Sequence, residues 1–454
     1  KMAKKKLFAS VFIFYRLFST EIPLNVGIAT PISESNFGDG ISSHTCVLSK
    51  AGVYYLSKAL IISETLDDEP LIRITSSGVT LDLNGNVLSA KMKKSGNCLI
   101  EIAEGVSWVT VRNGMLYNST GEGIKILSDT SNVFLKNLCI RKVVGSAVYA
   151  TKCSSLKIKA IMMCNILPSD KSGCVGISMQ DCSNILVSDV QISSETLTTD
   201  FTALKLVSCL VGNCDTIRIV SNEMQAKASF YGVYLECCKS IQFSQTEIVS
   251  NFSEQDFYGF YLNGCEGVVL DKIKIQDCGA IYTCIGCKTI DGRFNSLTNS
   301  FLQGNYTILD SVYGVFCNNE KYSLLERNNI LLNISPNVGS AYGIKLGLDN
   351  DEKTWGADIV VNENYISGNT GFAHSYGYYD SSTSIGKIFT NNISKSHGSV
   401  FEFGSTRVSK KDHMNYWASI LLTNPTQILR EIIFDGMDIL SIEKKGINLS
   451  VVDN

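Results

Sequence analysis

The chain has 454 residues, 44% hydrophobic and 18% charged, with only six prolines and a formal net charge of −3. Such a composition can bury a long core and is not that of a disordered chain. The near-neutral charge, with no basic run interleaved with aromatics beyond residue 6, argues against a nucleic-acid partner.

At the start of the chain Lys4 to Lys6 precede an apolar run from Leu7 to Tyr15, the order found in a secretory signal. Arg16 interrupts that order and no small-x-small cleavage site follows. Residues 1–44 are therefore read as a signal-like or capping segment. No other stretch reaches the roughly 20 apolar residues of a membrane span.

A repeat follows. Tyr231-Gly232, Tyr258-Gly259, Tyr313-Gly314, Tyr342-Gly343 and Tyr376-Gly377 recur at intervals of 27, 55, 29 and 34, each opening an alternating stretch such as Val233-Tyr234-Leu235. The interval of 55 is two periods, and Ala280-Ile281-Tyr282 fills the gap. Gly123-Ile124-Lys125-Ile126, Ala147-Val148-Tyr149-Ala150, Gly176-Ile177-Ser178-Met179 and Ala203-Leu204-Lys205-Leu206 hold the same phase upstream. Second stretches with apolar residues at every other position come after each, as in Ile185-Leu186-Val187 and Ile241-Gln242-Phe243. Period two means strand. Three short strands in about 28 residues is the arithmetic of a parallel β-helix, with roughly 12 to 13 coils in the space available. Leucine-rich repeats share the period, but their Leu and Asn pattern is absent.

Ser77-Gly78-Val79-Thr80-Leu81-Asp82-Leu83-Asn84-Gly85, followed by Val109-Thr110-Val111-Arg112-Asn113-Gly114, resembles the opening coils of right-handed parallel β-helix repeat proteins of the pectin-lyase-like superfamily. Variants with this opening look like surface proteins of amoeba-associated bacteria and of large amoeba-infecting viruses. The resemblance covers about residues 45–404 and implies an all-β, right-handed parallel β-helix with terminal caps. It implies no single activity, because that superfamily includes lyases, hydrolases, phage tailspikes and members without known chemistry. Beyond it, residues 405–454 read as a C-terminal cap. There Asn424 and Pro425 open a short helix, Ile428, Leu429, Ile432 and Ile433 form its apolar face, and Gly436 follows its end. A partner-binding helix is the other reading of this segment.

The sixteen cysteines are too dilute for a disulfide scaffold. Cys153, Cys182, Cys214, Cys238, Cys265 and Cys287 each stand three residues before the second strand, which predicts one internal column of buried thiols. Zinc is not expected, because close pairs of the C-x₂₋₄-C type are too few. No cofactor is expected either.

Carbohydrate-active β-helices need paired carboxylates, or a base with bound calcium. The paired aspartates and Gly-His-Gly segment of the hydrolase members are missing, and His44, His374, His397 and His413 each lack two neighbouring carboxylates in sequence. The remaining acidic constellation is on loops expected to stack: Glu195 and Asp200, Glu223, then Glu254 and Asp256. Asp200 and Asp256 would lie about 10 Å apart, near the inverting-glycosidase range. The plainer reading is a solvated acidic face. Asp349, Asp351 and Glu352 could hold calcium but lack the Gly and terminal Glu of an EF-hand loop.

Six Asn-x-Ser/Thr sequons, at Asn118, Asn251, Asn305, Asn333, Asn392 and Asn448, are about as many as chance provides. Tyr234, Tyr261 and Tyr282 alternate with core residues, so their rings should stack outward as ligand-binding candidates or as a cross-strand ladder. The resulting expectation is a non-enzymatic structural or adhesive protein of a virion or a cell surface, presenting a long face to protein or glycan partners. The alternative is a polysaccharide-degrading hydrolase or lyase acting through Asp200, Glu254 and Asp256. Nothing in the residues demands an oligomer.

Overall fold

The computed structural model describes residues 29–33, 45–66, 69–92, 97–168, 173–193, 199–220, 222, 228–337, 339–347, 359–371, 373, 375–380, 388–390, 393–395 and 401–403. Among them every regular element is a strand, and the strands stack in parallel ladders. The fold is a parallel β-helix. The expected C-terminal cap and its helix, and all of residues 1–44 except 29–33, lie outside the described residues.

The chain divides into two compact units. The first runs to Glu195 and takes in Ala203–Lys205 and Cys209–Ile217; the second takes Thr196–Thr202, Leu206–Ser208 and the chain from Arg218 on.

In the first unit, Cys46–Leu48, Ile72–Ile74, Cys98–Ile102, Glu122–Ile126, Ser146–Thr151 and Cys174–Gln180 form one wall, each strand paired with the next. Register is strict: Ile72, Ile100, Ile124, Val148 and Ile177 stand directly above one another, all fully buried. Each such side chain contributes about 2 kcal/mol by leaving water. The column therefore both fixes register and supplies core. The second wall consists of long bent strands, Ser107–Ser119, Ser131–Val143, Ser154–Cys164 and Ser183–Ser193. They bend where Asn137, Ala160 and Asp189 take left-handed backbone, with φ of 52°, 53° and 54°. Asn and Asp tolerate that conformation best, which is why short polar residues mark coil corners.

The second unit repeats the scheme with Phe230–Glu236, Phe257–Asn263, Cys284–Ile290, Val312–Asn318, Ala341–Leu346, Ser375–Asp380 and Phe401–Phe403 as its first wall. The pairs Phe252–Ser253, Gly279–Ala280, Tyr306–Thr307, Ile334–Ser335 and Thr370–Gly371 close the coils. The glycines at positions 232, 259 and 314 of the Tyr-Gly repeat are explained here. A Cβ on Gly232 would meet the Gly259 carbonyl oxygen at 2.6 Å and Ile248 Cδ1 at 2.8 Å, and one on Gly259 would meet the Gly286 oxygen and Ile275 Cδ1. Gly259→Ala is expected to cost about 2 kcal/mol through overpacking, read as a lower denaturation midpoint at constant m-value. An unchanged midpoint would mean that the coils can part there.

One coil was misphased by its sequence. The gap between Tyr258 and Tyr313 is filled by Ile285-Gly286-Cys287, with Ile285 paired to both tyrosines, rather than by Ala280-Ile281-Tyr282. Cys287 thereby leaves the expected cysteine column: it pairs with Phe260 and Val315 as a core residue of the first wall. Cys214 is also elsewhere, inside the strand Leu210–Val220. In the first unit the shared address belongs to Thr130, Cys153, Cys182 and Cys209, since the amides of Ser154, Ser183 and Leu210 donate in turn to the carbonyls of Thr130, Cys153 and Cys182. In the second it belongs to Cys238, Cys265, Gly292 and Glu320. All sixteen cysteines are thiols, and only Cys237 is well exposed. Burial pushes the thiols of Cys139, Cys278 and Cys317 up to about 12, so they carry little thiolate at neutral pH.

The interior also contains polar columns that hydrophobic patterning does not announce. Asn222 Nδ2 donates to Asn251 Oδ1 (2.7 Å), Asn305 Nδ2 to Asn333 Oδ1 (3.1 Å) and Asn333 Nδ2 to Asn369 Oδ1 (2.7 Å), with Cys278 standing between Asn251 and Asn305. A second column links the Ser300 amide to Asn328 Oδ1 and Asn328 Nδ2 to Asn364 Oδ1. At a corner the backbone turns away from the ladder, and an amide side chain supplies both a donor and an acceptor to the stranded groups. Three of the sequons fall here. Asn251, Asn305 and Asn333 are 1%, 0% and 0% exposed, so no glycan can be carried at them in the folded chain.

Candidate functional site

In the first wall of the second unit alternation breaks at the repeat glycine, so that the residue before it and the second residue after it both turn outward. Phe230, Val233 and Leu235 point into the core, which puts Tyr231 and Tyr234 on the outer face. Because strands stack in register, these outward residues become two columns. One is Tyr231, Tyr258, Ile285, Tyr313, Tyr342 and Tyr376; the other is Tyr234, Tyr261, Lys288, Phe316, Lys345 and Tyr379.

Within the first column the rings lie nearly parallel, with centroids 4.9 Å apart for Tyr231–Tyr258, 4.9 Å for Tyr313–Tyr342 and 5.0 Å for Tyr342–Tyr376. In the second, Tyr234 and Tyr261 are 5.3 Å apart at 4°. Between columns the rings meet edge to face, at 88° for Tyr231–Tyr234 and 84° for Tyr258–Tyr261. This alternation suits the aromatic quadrupole, and each pair adds about 0.5–1.5 kcal/mol beyond its buried area.

The two lysines stand in the same column, Lys345 buried and Lys288 half-buried. Lys288 Nζ lies 5.2 Å from the ring centroids of both Tyr258 and Tyr261. Lys345 Nζ lies 4.8 Å from Tyr342 and 5.3 Å from Tyr313, and the residue is only 3% exposed. A cation so placed is held by ring faces, each contact worth about 0.5–2 kcal/mol. Burial lowers the Lys288 ammonium from its usual range, and the Asp256 charge works in the opposite direction. Burial, helped by the Asp200 charge, pushes the Tyr231 phenol up to about 12, and burial raises those of Tyr234, Tyr258 and Tyr261 as well. The phenols thus stay protonated at physiological pH and can donate hydrogen bonds at the edge of the ring surface.

Of the ligand-binding candidates, Tyr234 and Tyr261 are stacked as expected from their spacing. Tyr282 is off the column: Lys288 occupies that place, and Tyr282 is on the turn before Cys284–Ile290, its amide donating to the Gln255 carbonyl. The misphased coil is the cause.

Asp200 and Asp256 precede the inward rings of Phe201 and Phe257 and stand two coils apart, with Ser229 between them. Each carboxylate serves the coil that follows it. Asp200 Oδ1 accepts the Ser229 amide at 2.7 Å, Asp256 Oδ1 accepts the Thr283 amide at 3.1 Å, and Asp256 Oδ2 accepts the Tyr258 hydroxyl at 3.4 Å. Glu254 is half-buried on the turn between Phe252–Ser253 and Phe257–Asn263. Glu195, Glu223, Asp349, Asp351, Glu352 and all four histidines lie outside the described residues. Among the described residues no three His, Cys, Asp or Glu side chains gather as a metal site, and no helix is long and apolar enough to cross a membrane.

Sequence reading missed Lys288, Phe316 and Lys345 as members of the outer surface. The signal was available, since each stands two residues after a Gly of the repeat, the position of Tyr234 and Tyr261.

No protein-family profile matches the chain, and no curated protein matches it. Among solved structures it is similar to the A-module of the mannuronan C-5 epimerase AlgE6 of Azotobacter vinelandii, at 14% identity and a TM-score of 0.36 over 78% of this chain and 90% of that one. It is similar to the catalytic domain of a GH87 alpha-1,3-glucanase at 10% identity and a TM-score of 0.33, over 82% of this chain and 70% of that one. It is also similar to tailspike protein 3 of bacteriophage CBA120, at 12% identity and a TM-score of 0.27 over 81% of this chain and 58% of that one. At these identities nothing about activity passes to this chain.

Proposed function

We propose that this protein is a non-enzymatic surface protein, structural or adhesive, of a virion or a cell exterior, and that it presents the outer face of residues 230–380 to a glycan. The observation that carries this reading is the double column of rings. Folding requires the inward residues of each strand to be apolar, but it places no such demand on the outward ones. Here the outward positions hold tyrosine or phenylalanine on coil after coil. Tyr258, Phe316, Tyr342 and Tyr376 are buried among their neighbours, and the half-buried Tyr231, Tyr234, Tyr261, Tyr313 and Tyr379 offer the ring area for the C–H faces of sugars and phenol hydroxyls for their oxygens.

The alternative is a polysaccharide-degrading hydrolase or lyase working through Asp200, Glu254 and Asp256. Against it weighs the use of both aspartates to accept the backbone amides of the following coil, a task that positions a loop. A general acid or base must instead reach a substrate proton.

The test is to incubate the full chain with a panel of uronate-bearing and neutral oligosaccharides and to follow both retention and size. Retention of intact oligosaccharides is expected. Shortened or unsaturated products would overturn the non-enzymatic reading, and no retention at all would overturn the glycan partner.

A further inference from the structure

A second aromatic feature of the same unit is not explained by folding. At the corner just after the buried column Cys238, Cys265, Gly292 and Glu320, the chain takes left-handed backbone on each coil: Ser240 at φ 54°, Gly267 at 65°, Phe294 at 56° and Tyr322 at 55°. Ser and Gly suit such a corner, whereas bulky side chains rarely take that conformation. Phe294 and Tyr322 nevertheless occupy it, and they gain no burial there, being 54% and 56% exposed. Their rings stack on each other, centroids 5.2 Å apart at 18°. On the Gly267 side the coil next to Phe294 has no side chain, so one face of the stack looks over bare backbone. Trp108, Val211 and Leu332 are also exposed and bulky in this conformation, and what sets Phe294 and Tyr322 apart is that two exposed rings stack on adjacent coils.

Charge narrows the ligand. Beside the rings runs the row Lys239, Glu266, Arg293 and Lys321, joined by parallel bridges, with three cations and one carboxylate. Lys239 and Arg293 both direct their charge to Glu266 Oε2, at 3.2 and 2.9 Å. Lys321 is exposed next to Tyr322, and no ion pair engages it among the described residues. Two stacked rings beside the exposed Lys321 fit one or two sugar rings bearing an acidic group.

We infer that Phe294, Tyr322 and Lys321 form a binding site for an acidic saccharide, apart from the ring columns of the first wall. A sugar ring stacks on the aromatic pair, and its carboxylate or sulfate pairs with the Lys321 ammonium. The inference rests on the glycan-binding reading above but not on the sheet face as the place of binding.

The experiment compares the full-length chain, the double variant Phe294→Asn with Tyr322→Asn, Lys321→Gln, and the double variant Tyr234→Ala with Tyr261→Ala. Each is titrated with defined uronate- or sulfate-bearing oligosaccharides and with neutral hexose oligomers. Asn suits the left-handed corner, so the asparagine variant should keep or raise its melting temperature. It should nonetheless bind acidic oligosaccharides about tenfold more weakly or worse. Lys321→Gln should weaken acidic binding and remove much of its salt dependence. Equal affinity in the asparagine variant, or equal binding of neutral and acidic oligomers by the wild-type chain, would overturn the inference. Loss only in the Tyr234 and Tyr261 variant would overturn it while leaving the sheet-face reading intact, and absence of any oligosaccharide binding would overturn both.

Discussion

Asn328→Ala is expected to remove about 3 kcal/mol of unfolding free energy, because the Ser300 amide and the Leu297 carbonyl lose a buried partner at once, while Asn364 Oδ1 keeps only the Asn328 backbone amide. The Asn328 side chain accepts the Ser300 amide at 3.0 Å, donates to the Leu297 carbonyl at 2.9 Å and donates to Asn364 Oδ1 at 2.9 Å. Asn328, Ser300 and Asn364 are each 1% exposed, so water does not reach the groups left behind. An unmet buried donor or acceptor costs about 1–3 kcal/mol, and alanine also leaves a cavity. Asn328→Leu fills the volume but meets none of the three groups, and it should be nearly as costly. Denaturant unfolding at constant m-value measures both. A loss below about 1 kcal/mol would mean that the amide column is a passenger in a core held by its apolar columns.

The second large effect depends on pH. On the outer side of the first unit's wall, burial pushes the Glu122 carboxyl from 4.5 up to about 7, with Lys125 pulling it partly back, and its Oε2 has no hydrogen-bond partner. The folded chain therefore holds this proton more tightly than the unfolded chain does. Its contribution is fully present below the unfolded value near 4.5 and is lost as the pH rises through about 7. The whole span corresponds to about 3 kcal/mol, taken as an upper figure. Glu122→Gln keeps the shape and removes the titration. It should match the wild-type chain at pH 4 and exceed it at pH 8, and parallel stability curves for the two across that range would contradict the assignment.

Fold class was legible because one spacing repeats. Tyr-Gly recurs wherever an outward ring precedes a position too crowded for a Cβ, so the pair encodes both the phase of the strand and the closeness of the coils. The same marker failed where its chemistry changed. At Ile285-Gly286-Cys287 the ring is replaced by isoleucine, and a search for tyrosine moves the coil to Tyr282. That single shift also misplaced Cys287 and hid Lys288 as the neighbour of Tyr261. Cys214 was misassigned for a related reason: the strand Leu210–Val220 begins before its alternation becomes visible, which gives the column address to Cys209.

The asparagine columns show a different limit. Asn251, Asn305 and Asn333 satisfy the sequon pattern, and that local pattern masks their spacing of about one or two coils, which is the structural signal. Polar residues in a core are invisible to hydrophobic periodicity and appear only when the unpaired backbone groups at a corner are counted. The acidic loops were partly legible: stacking placed Asp200 and Asp256 two coils apart, but the backbone amides their carboxylates accept depend on turn geometry that spacing does not contain. Phe294 and Tyr322 could have been noticed as aromatics at a corner where other coils place Ser or Gly. Recognising that corner required the backbone.

The ring columns of the second unit are the center of the functional account, and calorimetric titration of the oligosaccharide best retained by the wild-type chain into Tyr234→Ala with Tyr261→Ala tests them most directly. These two side chains are half-buried on the outer face, so their removal should leave the core strands folded. Affinity is expected to fall by about tenfold or more at an almost unchanged melting temperature. Full affinity in that folded variant would contradict the claim that the outward rings are the glycan-binding face.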